Sequence, residues 1–146
     1  MTPVPLHYIW EGPPLGEPVV LSGSLGSNLR MWDPQVSALI AAGYRVLRYD
    51  HRGHGSSPVP AGPYSLADLA GDVVELLDHV NVQRAHFVGL SLGGMVGMWL
   101  AQHGADRLTS LSLCCTSAEL GPASGWAETR RNDPQKWHTS RVEGGC

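Results

Sequence analysis

The stretch AHFVGLSLGGMVGMWLA, residues 85–101, decides how this chain folds. It opens on a short apolar run with Phe87 and Val88, read as a buried strand, and passes into a helical stretch from Leu92 to His103 with Gly104 as its stop. Between them lies Gly89-Leu90-Ser91-Leu92-Gly93. At this chain's glycine and serine content, Gly-x-Ser-x-Gly arises by chance about one time in five, so the flanking elements carry the reading. A serine at a tight strand-to-helix turn stands above the carboxyl edge of its sheet. Gly89 and Gly93 are then needed because side chains there would strike the neighbouring strand and helix. The helix starting at Leu92 also aims its first N–H groups and the positive end of its dipole at that point. Ser91 is therefore the candidate nucleophile.

Working outward, PLHYIW (5–10) reads as an edge strand, EPVVLSG (17–23) as a short buried strand and YRVLRYD (44–50) as another. RLTSLSLCC (107–115) is the last strand. Between strands, Asp33 reads as an N-cap with Pro34 at the first helical position, Val36, Leu39 and Ile40 on one side and Gly43 as the stop. Ser65 with Asp68 three residues on is a variant capping box. Leu66, Leu69, Val73, Leu76, Leu77 and Val80 follow at helical spacing, with Asn81 as the end. Strands alternating with helices predict an α/β fold with an open, mostly parallel sheet and helices on its faces. Residues 1–118 form that core. Residues 119–146 lack apolar periodicity and read as an irregular tail.

The 146 residues fit one domain with a real core. A net charge of −3 and no Lys/Arg cluster exclude a nucleic-acid or membrane-surface partner, both of which need a concentrated basic face. The N-terminus has no basic and apolar signal regions and no stretch is long enough to span a bilayer, so the expected location is cytoplasmic. Cys114 and Cys115 lie together in an apolar run and Cys146 is terminal, which predicts reduced thiols and neither disulfides nor a zinc site.

An oxyanion needs a second donor, and removing one such donor typically costs about 3 kcal/mol of transition-state stabilisation. SGSLGS (22–27) leaves the strand at Val19 to Leu21, and its turn can aim the N–H of Leu25 at an oxygen already held by the N–H of Leu92. Taken together, SGSLGSNLRMWDPQ, RVLRYDHRGHGSS, YSLADLAGDVVELLDHV and AHFVGLSLGGMVGMWLA resemble the N-terminal half of the α/β-hydrolases, and are most similar to the 3-oxoadipate enol-lactonases of the β-ketoadipate pathway of aromatic catabolism. The resemblance covers about the first 127 residues. It implies a cofactor-free, metal-free hydrolase that opens a small anionic lactone through attack by Ser91 and an acyl-enzyme, with Leu25 and Leu92 as the backbone oxyanion hole. A general carboxylesterase or haloperoxidase-like hydrolase is the alternative. Oligomeric state is left open.

The other polar residues read more plainly. Asp50, His51 and His54 fit no standard metal spacing. Arg52 is a loop-bracing arginine rather than a substrate ligand, His86 a sheet residue, His103 too far along its helix to serve Ser91, and Met95, Met98 and Trp99 helix-face packing. Gly23 to Gly26 and Gly53 to Gly55 lack the lysine or setting of nucleotide loops.

In this family the acid and the histidine of the triad follow the serine in the chain. Only Asp133 and His138 occur in that order, and they lie in the tail, so the triad acid and base are not identified. The resemblance thus leads to the expectation of an α/β-hydrolase core truncated or frame-shifted after about the family's sixth strand, without cap or C-terminal core. Such a chain would be catalytically impaired, and its open sheet edge prone to aggregation. A non-catalytic fragment that pairs this edge with another chain is the remaining alternative.

Overall fold

Two apolar runs, Val19-Val20-Leu21 and Val46-Leu47, are buried on both faces of a sheet, and this requires helices on either side of it. The computed structural model describes residues 2–119. β1 (Tyr8–Glu11), β2 (Glu17–Ser22), β3 (Tyr44–Tyr49), β4 (Ala85–Leu90) and β5 (Leu108–Cys114) form one sheet in the order β1-β3-β2-β4-β5. β1 runs antiparallel to β3, and the remaining pairs are parallel. The connections carry α1 (Asp33–Ala41), α2 (Leu66–His79) and α3 (Leu92–His103). Each strand and each helix stands where the residue pattern predicts one.

Side-chain alternation along β2 assigns the two faces. Val19 and Leu21 pack with Trp32, Val36 and Val46 on the α1 side, whereas Val20 joins Leu47, Tyr49 and Phe87 among residues of α2 and α3. Val20, Val46 and Leu47 are fully buried, and each such side chain contributes roughly 1.5–3 kcal/mol relative to exposure. Burial concentrates in the last four residues of β2 and β3, at the carboxyl edge of the sheet. β5 is an edge strand among the described residues and is mostly exposed, Leu113 included.

The helix boundaries follow local chemistry. Ser65 and Asp68 close a reciprocal capping box on α2, and Asn81, at φ +57°, lies just past the helix end. Gly43 takes φ +91° after α1, and Gly104 caps α3. One cap differs from the sequence expectation. Asp33 is not an N-cap but the first residue of α1, because a 3-10 turn, Leu29–Trp32, precedes it and is capped by the Asn28 side chain. The Asp33 carboxylate instead receives Arg48, whose other end bonds Glu11 at 2.6 Å.

Arg52 is the loop brace expected of it. Its guanidinium is fully buried and donates from Nε and Nη2 to the two oxygens of Asp72 on α2, both at 2.6 Å. Asp72 also accepts the N–H of Val4, so one carboxylate ties together the N-terminal segment, the loop after β3 and α2. Asp72→Ala leaves a buried guanidinium without its counter-charge and is expected to cost about 3–5 kcal/mol in urea unfolding. The double variant Arg52→Met/Asp72→Leu is expected to recover most of that loss, and equal losses in single and double variants would show that the unpaired charge is not the cause.

Candidate active site

The turn between β4 and α3 places Ser91 at φ +53°, ψ −112°, a backbone conformation that a residue with a side chain adopts only when its surroundings impose it. Three hydrogen bonds impose it. Ser91 N–H donates to the Cys114 carbonyl at 3.0 Å, and the Ser91 carbonyl accepts from Met95 N–H at 3.1 Å and from the Thr116 hydroxyl at 2.7 Å. The end of β5 and the residues after it thus grip both backbone groups of the serine.

Glycine is required at three positions around it. A Cβ on Gly89 would stand 2.3 Å from the Gly93 carbonyl oxygen, one on Gly93 2.1 Å from the Ser22 carbonyl oxygen, and one on Gly94 2.6 Å from the Thr116 side chain. Gly89 and Gly93 meet the neighbours the motif implies. Gly94 and Thr116 were not singled out from sequence; the doubled glycine was the available signal for the first, and the position just past a strand end at the carboxyl edge for the second.

With Gly93 lacking a side chain, the first turn of α3 closes onto the end of β2, and Gly93 N–H donates to the Gly23 carbonyl at 3.0 Å. The turn 24–27 that follows has Leu25 and Gly26 at its centre, Gly26 at φ +74°, and is closed by Ser27 N–H and the Ser27 hydroxyl on the Ser24 carbonyl. The second residue of such a turn does not use its own N–H in closing it. Among the described residues neither Leu25 N–H nor Leu92 N–H has a hydrogen-bond partner. Two free amides therefore come from segments that Gly23 and Gly93 lock together, next to a half-buried serine at a helix N-terminus. This arrangement suits a developing oxyanion.

The loop after β3 packs beneath the turn. His51 and His54 are both buried, and their rings meet edge to face at 5.8 Å. His51 Nε2 donates to the Gly23 carbonyl at 3.2 Å, and burial, reinforced by neighbouring His54, holds its pKa down at about 4. Asp50 is occupied elsewhere, accepting from Leu29 N–H, Ser56 N–H and the His7 ring. Asp50, His51 and His54 thus serve separate partners, and among the described residues no group of three His, Cys, Asp or Glu side chains stands in metal-binding geometry.

His86 lies on β4 and contacts the Ser110 hydroxyl at 2.7 Å, while His103 stacks on Trp99 at the far end of α3. Neither they nor any other side chain among the described residues hydrogen-bonds the Ser91 hydroxyl. Asp133 and His138 lie outside the described residues. No helix among those residues is long and apolar enough to cross a membrane.

Two measurements test this geometry. Gly93→Ala should lower stability by about 1–3 kcal/mol through overpacking against β2, whereas Gly71→Ala, in the middle of α2 with open space around its Cβ, should raise it by roughly 0.5–1 kcal/mol. A neutral or stabilising Gly93→Ala in urea unfolding would contradict the close approach. The second concerns acid. Below pH 6.5 an unfolded histidine takes up a proton that buried His51 refuses until about pH 4, so stability should fall as pH drops through that window, by roughly 3 kcal/mol at its lower end. His51→Gln should flatten the pH 6.5–4 limb of the stability curve; a limb of unchanged slope would place the effect elsewhere.

Comparison with known proteins agrees with this architecture. The profile of the alpha/beta hydrolase fold family matches residues 17–141. The 3-oxoadipate enol-lactonase 2 of Acinetobacter baylyi is 42% identical over 123 residues, which is 84% of this chain and 46% of that protein. A protein of Variovorax paradoxus named for carbamate hydrolysis, RutD, is 49% identical over 112 residues, 75% of this chain and 42% of its own length. The crystal structure of the enol-lactonase from Burkholderia xenovorans superposes with a TM-score of 0.83 at 45% identity, over 89% of this chain and 50% of that one. The chain spans about half the length of these relatives. Family profile, relatives and superposition agree with one another: this chain belongs to the α/β-hydrolase family.

Proposed function

We propose that the chain carries the nucleophile and oxyanion half of a serine hydrolase of the 3-oxoadipate enol-lactonase type, acting on a small lactone or ester without a cofactor. The observation that carries this reading is the Ser91 turn: a strained serine at the N-terminus of α3, clamped to a second turn whose Leu25 N–H has no partner among the described residues. Ser91 Oγ attacks the lactone carbonyl, the bond to the ring oxygen breaks as that oxygen takes up a proton, the enol so formed tautomerises to the ketone, and the whole opened molecule remains on Ser91 as an ester. Leu25 and Leu92 N–H groups hold the carbonyl oxygen while it carries negative charge. Water then cleaves the ester and releases the open-chain keto acid and the free serine hydroxyl. The first step needs a general base at Oγ and the second needs the same base at the attacking water, with its proton returned to Oγ as the ester breaks; Asp133 and His138 are the in-chain candidates, and a base brought by another chain would serve the same steps.

The lactone reading draws on the enol-lactonases among the relatives. The RutD relative supports a second substrate class on the same machinery, a carbamate, whose carbonyl would meet the same serine and the same two amides. A carboxylesterase or haloperoxidase-like activity uses the same half-site.

Opening of 3-oxoadipate enol-lactone by the purified 146-residue chain, beside Ser91→Ala and beside a carbamate, tests the proposal. Slow, Ser91-dependent opening is expected, falling to the background rate in the variant. Equal background rates for both folded proteins would overturn the catalytic reading of this chain in favour of a non-catalytic one, and a preference for the carbamate would move the substrate class.

A further inference from the structure

We propose that His51 and His54 are positioning residues of the oxyanion hole, two neutral imidazoles of opposite tautomer that hold the 23–27 turn from its two ends. The proposal rests on the reading of Ser91, Leu25 and Leu92 given above. His54 Nδ1 lies 3.1 Å from the Arg52 carbonyl oxygen, which can only accept, so Nδ1 carries the proton and Nε2 is a bare acceptor. That acceptor receives Gly26 N–H at 3.0 Å. His51 is the reverse: its Nε2 faces the Gly23 carbonyl and must be protonated, leaving Nδ1 buried with no partner among the described residues.

Packing holds the Leu25 side chain against the core but does not reach Gly26 beside it. Among the described residues no atom beyond its chain neighbours lies within 4 Å of the position a Gly26 Cβ would take, and its N–H is tied by the hydrogen bond to His54. Leu25, whose N–H is the outer donor, sits between the two tied peptides. At the other end the Gly23 carbonyl accepts both His51 and Gly93 N–H, so the same oxygen sets the turn against α3 and against the loop. The loop is itself immobilised: the Arg52 side chain grips Asp72 while the Arg52 carbonyl takes the proton of His54. A continuous path of bonds therefore runs from α2 through Asp72, Arg52 and His54 to Gly26, one residue from the donating amide.

The test uses the full-length chain, with His54→Leu removing the acceptor and His54→Gln offering an amide oxygen near the place of Nε2. Loss of one such bond should speed hydrogen exchange at Gly26 N–H about tenfold and slow phosphonylation of Ser91 by a fluorophosphonate about tenfold, with the Leu25 amide resonance displaced and those of α2 unmoved. His54→Gln should restore both rates to within about threefold, since a neutral acceptor is all the site needs. Unchanged exchange at Gly26 and an unmoved Leu25 in His54→Leu would overturn the proposal, as would a glutamine variant no better than leucine. Imidazole 15N shifts of the wild-type chain decide it even if His54→Leu does not fold: protonated Nδ1 on His54 with protonated Nε2 on His51 supports the brace, any other pairing overturns it. A folded wild type whose Ser91 is not phosphonylated defeats the hydrolase reading; in that case Gly26 exchange still decides the brace, protection that His54→Leu removes supporting it and no protection overturning it.

Discussion

The approach of α3 to the end of β2 is the constraint on which the site depends. It is set by hydrogen atoms on two glycines: Gly93 brings the first turn of α3 against the Ser22 carbonyl, and Gly89 lets the preceding strand pass beneath Gly93. Once that gap is closed, Gly93 N–H reaches the Gly23 carbonyl and two segments far apart in sequence acquire a fixed separation. A methyl group at position 93 would push the helix off the strand before any chemistry was affected. The serine conformation follows from the same closure, since its carbonyl and N–H are held by Thr116 and Cys114 on the neighbouring strand end. Strain at Ser91, on the order of 1–3 kcal/mol for such a conformation, is sustained by these bonds and by the burial behind them.

Much of this was legible in the residues, for particular reasons. β2 and β4 are short apolar runs bounded by turn residues, α2 carries its own capping box and a helical apolar stripe, and glycine marks the ends of α1 and α3. These signals are local, and local chemistry decided the elements. Ser91 was legible because its motif sits between a recognisable strand and a recognisable helix. The roles of Thr116, His51 and His54 were not, because each depends on a contact across the sheet that no spacing encodes. His51 and His54 read as loop histidines of no standard metal spacing; their partners, Gly23 and Gly26, lie 28 residues away.

The misplaced cap at Asp33 shows the same limit at smaller scale. Asp-Pro before an apolar periodic stretch is a sound N-terminal signal, and α1 does begin there. What the local pattern could not contain was Arg48 on β3, buried and facing that carboxylate from one side and Glu11 from the other. With the charge of Arg48 to satisfy, the Asp33 side chain bonds outward, and Asn28 caps the 3-10 turn that leads into the helix instead. Tertiary electrostatics overrode a local preference without moving the element.

The polar residues behind the site divide into two kinds. Arg52 and Asp72 are a charged pair that bond each other and backbone groups, and together they hold a loop in place. His51 and His54 are uncharged and stand between that loop and the turn that carries Leu25. Neutrality matters there: a protonated His54 would present N–H to the N–H of Gly26, and a positive charge 3 Å from that amide would replace an attraction by a repulsion. Burial favours the neutral ring at His51. The same enclosure that orients the turn therefore also keeps the His51 ring uncharged.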